Sequence, residues 1–134
     1  QSVVLALADD LVRLPSPVVL DHFAMMFDHR DSAILSDLLS SGRVHLKLSA
    51  PYRLADPAFA EIWARHWTET APAALLWASD WPHTTREHGR AAHEVSAYRV
   101  VPVDELQRQV ASWLPTAELR SRVLLENPAR LYGF

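Results

Sequence analysis

The sequence predicts an α/β fold with parallel strands and, within that class, part of a (β/α)8 TIM barrel. Short aliphatic or β-branched runs alternate with segments of helical spacing, and parallel strands need such intervening crossovers whereas hairpins do not. One run, Val44-His45-Leu46-Lys47-Leu48-Ser49, alternates strictly, setting Val44, Leu46 and Leu48 against His45, Lys47 and Ser49. An open sheet covered on both faces would bury that polar set under a helix, while a barrel points it into a polar interior near its mouth. Length supplies the last observation. A closed eight-stranded barrel takes about 250 residues, so 134 residues amount to a portion of one, expected to form a single domain over 1–134.

The elements follow in order. Pro15-Ser16-Pro17 ends a helical tail and precedes Val18-Val19-Leu20-Asp21-His22, which reads as a buried strand. After Asp31, Ile34, Leu35, Leu38 and Leu39 recur at helical spacing, and Gly42 stands where a left-handed residue would stop the helix. Val44 to Ser49 is the second strand. Asp56-Pro57 offers an N-cap acid with proline behind it, and Phe59, Ile62, Trp63, His66 and Trp67 form the expected inner face before Pro72. A third strand begins at Leu75. Asp104 is expected to open the next helix with Gln107 in capping-box position, its stripe being Leu106, Val110, Trp113 and Leu114. Thr116 caps a further helix through Leu119, Val123 and Leu124, and Asn127-Pro128 is expected to start a last short one that stops at Gly133.

Composition narrows the function. An apolar content of 49% with 22% charged residues is that of a folded soluble domain. No apolar run reaches the roughly 18 residues needed to span a bilayer, and the start lacks a basic leader segment, so a cytoplasmic location without membrane association is expected. Without cysteine, thiolate ligands and nucleophiles are excluded, and any metal must be held by histidine and carboxylate, of which seven histidines are available. A net charge of −3 with interspersed signs offers no basic stripe for nucleic acid. The expected partner is a small molecule.

The richest stretch is Leu75-Leu76-Trp77-Ala78-Ser79-Asp80-Trp81-Pro82-His83, an apolar run ending in an acid, a rigid turn and an imidazole. Parallel sheets build their sites at the C-terminal strand ends, which makes Asp80 the leading catalytic candidate; the alternative is a turn-capping aspartate. His22 follows the first strand at the same edge and is either a functional group or a satisfied structural histidine. Arg53, just past the second strand, is a cation for an anionic substrate or an ordinary surface arginine. His83 is a binding group or a solvated loop residue. Lys47 either binds substrate or pairs with a neighbouring acid such as Asp80. Asp21 is expected to bond locally. Trp63, Trp67 and Trp113 read as core, and His29, His88, His93 and the loop Arg86-Glu87-His88-Gly89-Arg90 carry no assigned role.

Four blocks in this order carry a resemblance over almost the whole chain: Val18-Val19-Leu20-Asp21-His22-Phe23, Val44-His45-Leu46-Lys47-Leu48-Ser49-Ala50-Pro51-Tyr52-Arg53, Leu76-Trp77-Ala78-Ser79-Asp80-Trp81-Pro82-His83, and Glu126-Asn127-Pro128-Ala129-Arg130-Leu131-Tyr132-Gly133-Phe134. The chain resembles the C-terminal half of TIM-barrel hydrolases in the amidohydrolase-2 branch of the amidohydrolase superfamily, most of all its 2-pyrone-4,6-dicarboxylate lactonase group. The resemblance implies that Asp80 matches the acid that activates water, that His22 matches a histidine that ligates metal or polarises the substrate carbonyl, and that Arg53 matches an arginine binding a substrate carboxylate. Should a metal be used, His22 and Asp80 would be its ligands here. The family's first-strand His-x-His has no counterpart in this chain, and Ala78-Ser79 stands where the family often has Gly-Thr. A divalent, zinc-like metal is thus implied by the superfamily and absent from the lactonase-like members.

Two readings from different classes follow. The first is a hydrolase of a lactone or related bond in a small anionic carboxylic acid, with Asp80 as base, His22 as electrophile and Arg53 as clamp. A metal-dependent decarboxylase of the same branch is its rival within enzymes. The second is a non-catalytic remnant whose unpaired strand edges make it associate with itself or with an N-terminal barrel half.

Overall fold

Proline cannot continue a helix and biases the residue before it toward extended backbone, and the chain obeys at its first turn. Helices α1 (Val3–Ala6) and α2 (Ala8–Arg13) stop before Pro15, and β1 (Val18–Leu20) follows. The computed structural model describes residues 3–26, 32–84, 91 and 93–134; His29, His88 and residues 86–90 lie outside them. Helix α3 (Ser32–Ser40) ends at Gly42, whose φ of 71° is the left-handed turn expected of it. Next come β2 (Val44–Leu48), α4 (Phe59–Thr70), β3 (Leu75–Trp77), α5 (Val103–Trp113), α6 (Ala117–Ser121) and α7 (Asn127–Tyr132).

The three strands form one parallel sheet in the order β1-β2-β3. Register places Val18 and Leu20 beside Val44 and Leu46, then Leu46 and Leu48 beside Leu75 and Trp77. This face enters the core with Leu35, Leu38 and Leu39 of α3 and Ala60, Trp63, Ala64 and Trp67 of α4. The opposite face holds Val19, His45, Lys47 and Leu76, and Leu76, although buried, stands apart from that core. The alternation of β2 therefore separates two environments, as its sequence predicts. Among the described residues no helix is long and apolar enough to cross a membrane.

Several local expectations are corrected. Asp104 is not the cap of α5: the helix begins at Val103 behind Pro102, and Asp104 in its first turn accepts from Arg108 at 3.0 Å instead. Asp56 caps a turn rather than the helix, accepting from the Ala58 N–H at 2.9 Å, and α4 starts three residues later. On α4 the buried stripe is Ala60, Trp63, Ala64 and Trp67, leaving Phe59 and Ile62 largely exposed. Thr116 does cap α6, accepting from Leu119.

Asn127-Pro128 starts α7, which stops at Gly133 as expected, but the chain enters it from a helix rather than from a loop. Pro128 has no N–H to donate and its ring crowds the carbonyl four residues back; the turn before it, Arg122–Glu126, widens to π geometry, with the Asn127 N–H reaching the Arg122 carbonyl. This joins α6 to α7. Asn127, fully buried, donates from Nδ2 to the carbonyls of Pro72 at 2.9 Å and Leu75 at 2.8 Å, while Arg130 donates to its Oδ1 at 2.9 Å. The C-terminal helix is thereby fastened to the N-terminal end of β3.

Candidate active site

Each strand is followed by a non-glycine residue in the left-handed region: His22 (φ 53°) after β1, Ala50 (φ 48°) after β2, Asp80 (φ 63°) and His83 (φ 61°) after β3. A side chain makes that backbone unfavourable by about 1–2 kcal/mol per residue, and such strain persists where surrounding contacts over-determine it. Here the sharp turns bring side chains from all three strand ends to one mouth.

Asp80 is the centre. Its Oδ2 accepts from the Tyr52 hydroxyl at 2.7 Å and from Arg53 Nε at 2.8 Å, while Oδ1 faces His22 Nε2 at 3.7 Å. His22 Nδ1 lies 2.9 Å from Ser49 Oγ, and Tyr52 Oη lies 3.2 Å from His83 Nδ1. A phenol has one proton, so with Tyr52 donating to Asp80 its oxygen accepts from His83. The His83 backbone N–H separately donates to the Asp80 backbone carbonyl at 2.7 Å. Asp80 and His22 retain 14% and 18% side-chain exposure, enough for a small molecule to reach one side of each.

Asp80, His22 and Arg53 thus meet and His83 joins them through Tyr52, whereas Lys47 pairs outside this set. Arg53 is bonded to Asp80, not free. Lys47 pairs with Asp21 at 2.6 Å, so Asp21 bonds across strands rather than locally, and Asp80 is not the acid that Lys47 takes. His83 is buried against Tyr52 instead of standing in an open loop. Sequence reasoning passed over Ser49 and Tyr52. Ser49 shares the polar face of β2 with Lys47, and Tyr52 adjoins Arg53, which were the only signals for either.

Electrostatics sharpen the picture. Burial pushes the Asp80 carboxyl up, but hydrogen bonds from Tyr52 and Arg53, with the charges of His22 and Arg53, outweigh it and hold the carboxyl below its usual value. Burial lowers His22, against the pull of Asp80, favouring the neutral imidazole. Tyr52 is pushed up to about 12 by burial and by its bond to Asp80, so it stays a donor at neutral pH. The arrangement is an ionised carboxylate with one oxygen held and the other facing an imidazole.

As a metal centre the set is short of ligands. A structural or catalytic zinc takes at least three protein donors, and among the described residues no group of three histidines and carboxylates comes together. His22 and Asp80 supply two donors, with the Arg53 guanidinium already on the carboxylate.

The model of the amidohydrolase family known as Amidohydro_2 matches residues 1–134. The chain belongs to this family. Curated relatives include the 4-sulfomuconolactone hydrolase of Hydrogenophaga intermedia, 28% identical over 96% of this chain and 43% of that protein. The D-galactarolactone isomerase of Agrobacterium fabrum is 32% identical over 91% and 42%, and the 2-pyrone-4,6-dicarbaxylate hydrolase of Comamonas testosteroni 30% over 92% and 43%. An apo crystal structure of an Agrobacterium tumefaciens protein superposes with a TM-score of 0.77 at 26% identity, over 98% of this chain and 46% of that one. A zinc-bound amidohydrolase from Burkholderia multivorans gives 0.63 at 22% identity, over 98% and 48%, and shares the fold. The chain spans less than half the length of these relatives, and its three-stranded parallel sheet is part of the TIM barrel.

Proposed function

We propose that this amidohydrolase chain carries the C-terminal half of a lactone-hydrolysing site in which Asp80 activates water. The observation that supports it most is the asymmetry of Asp80, with Oδ2 held by Tyr52 and Arg53 and Oδ1 turned to His22. In this reading a water donates its proton to Oδ1 as its oxygen bonds to the lactone carbonyl carbon. Ser49, donating to Nδ1, sets the neutral His22 as the Nε2–H tautomer, and that N–H stabilises the oxyanion. Collapse breaks the ring C–O bond, and the departing oxygen takes the proton back from Asp80.

The terminal N–H groups of Arg53, unbonded among the described residues, are left to grip a substrate carboxylate. Two of the relatives are named for lactone-type substrates bearing additional acidic groups, which fits a small anionic acid. Divalent metal enters no step, because two donors do not complete a site; further ligands would have to come from beyond the described residues.

The test is a panel of lactones, assayed with and without chelator, on the chain alone and on a chimera that places it behind the N-terminal portion of the Hydrogenophaga relative. Asp80→Asn keeps the size of the group but not its basicity, so turnover falls by about 10²-fold or more. Near-full activity of that variant would return Asp80 to a turn-capping role.

A further inference from the structure

Arg99 lies in the segment between β3 and α5, where sequence reasoning gave it no part. Its N–H donates to the His83 carbonyl at 3.2 Å, and its guanidinium carbon stands 4.6 Å from the centre of the Tyr52 ring. Tyr52 is the residue whose hydroxyl end touches Asp80. Arg99 is therefore tied to the site twice, by backbone to the loop after Asp80 and by stacking on the ring.

Among the described residues its charge has no carboxylate counterpart, whereas Arg53 is on Asp80 and Lys47 on Asp21. Arg99 is also exposed, so its donors are open to solvent. Both the Arg53 and Arg99 charges act on the Tyr52 hydroxyl, each favouring its ionised form though burial and Asp80 prevail. Two guanidinium groups thus lie near one tyrosine, one with its Nε committed to Asp80 and one over the ring with no carboxylate partner among the described residues.

We propose that Arg99 is a specificity-determining residue, a second anion-binding cation that works with Arg53 to make the site prefer substrates carrying two anionic groups over those carrying one. This rests on the hydrolase reading for its purpose, though not for its measurement. Arg53 orients one carboxylate close to Asp80; Arg99, with a planar fork facing solvent, takes the second. Stacking on Tyr52 holds the guanidinium in place without neutralising it.

The experiment is a binding titration of the chain with isophthalate, an unreactive ring dicarboxylate, and with benzoate as its single-carboxylate counterpart. The unaltered chain should bind isophthalate about tenfold more tightly than benzoate, a modest ratio because Arg99 is exposed. Arg99→Gln keeps a planar polar end without the charge and should erase the preference while leaving benzoate affinity within about twofold. Arg99→Lys should restore part of it. Absence of any preference in the unaltered chain, a preference that survives Arg99→Gln, or an equal loss for both ligands would each overturn the proposal. Since neither probe is hydrolysed, an Arg99-dependent preference in the chain together with no lactone turnover by the chimera that supplies the N-terminal portion would defeat the hydrolase reading alone.

Discussion

At the scale of single residues, the proposed site would give Arg53 two jobs that compete for one guanidinium. Its Nε holds Asp80 Oδ2 at 2.8 Å, and its remaining donors are those that would meet a substrate carboxylate. A pure clamp would raise KM on removal and leave kcat alone. Hydrogen bonds to charged groups are worth about 1.5–3 kcal/mol, so Arg53→Ala should also lower kcat by about tenfold or more as Asp80 loses one of its two fixing donors. Arg53→Lys, with a point charge and no Nε, should recover KM better than kcat. Steady-state kinetics on a lactone carrying a carboxylate separates the two, and a change confined to KM would reduce Arg53 to the clamp expected from sequence. Asp80 and His22 were legible because an acid and an imidazole stand just past apolar runs. Tyr52 was not: its hydrogen bond to Asp80 spans 28 residues, and no local pattern encodes a contact between two strand ends.

At the scale of elements, the seam between α7 and β3 depends on one side chain. Asn127 satisfies two backbone carbonyls in a site closed to water, at 2.9 and 2.8 Å, and its own oxygen is satisfied by Arg130. Asn127→Ala would strand those groups, at about 1–3 kcal/mol for each buried group left unpaired. We expect a loss of about 2–4 kcal/mol in urea unfolding, whereas Asn127→Asp should cost more by setting a carboxylate against two carbonyl oxygens. A loss below about 0.5 kcal/mol would show that the seam is carried by apolar packing instead. The bounds of α7 follow from local rules, Asn127-Pro128 at its start and Gly133 at its stop, whereas the π turn that runs into it from α6 has no local signal beyond the missing N–H of Pro128. Where periodicity and punctuation agree with burial, as in α3 with Gly42 and β2 with its alternation, the sequence was sufficient. Asp104 and Asp56 failed for a smaller reason, since an acid near a helix start serves equally as cap, first-turn charge or turn former, and proline position decided among them.

At the scale of the whole molecule, the described sheet has two unpaired edges. β1 and β3 each pair with β2 alone, leaving backbone donors and acceptors on their outer sides without a ladder. Beside β3 lies a groove of about 440 Å³ walled by Trp77, Val103, Leu106, Val110 and Ala111, and Val103 is 70% exposed. An apolar groove near an open strand edge can attract another chain by burial, as the edge can by hydrogen bonding. The 134-residue chain by itself should therefore associate as its concentration rises, and sedimentation velocity across a dilution series would show the average mass increasing. Two variants separate the forces. Leu106→Lys places a charge in the groove and leaves the strand edge intact, so it should shift the association to higher concentration if apolar burial drives it and leave it unchanged if edge pairing does. Fusion to the N-terminal portion of a relative should suppress association in the unaltered chain, because an intramolecular partner is present at high effective concentration and covers the same surfaces. A compact monomer that unfolds cooperatively at every concentration would show that three strands and their helices bury enough to stand alone, and the open edges would then be tolerated rather than sticky.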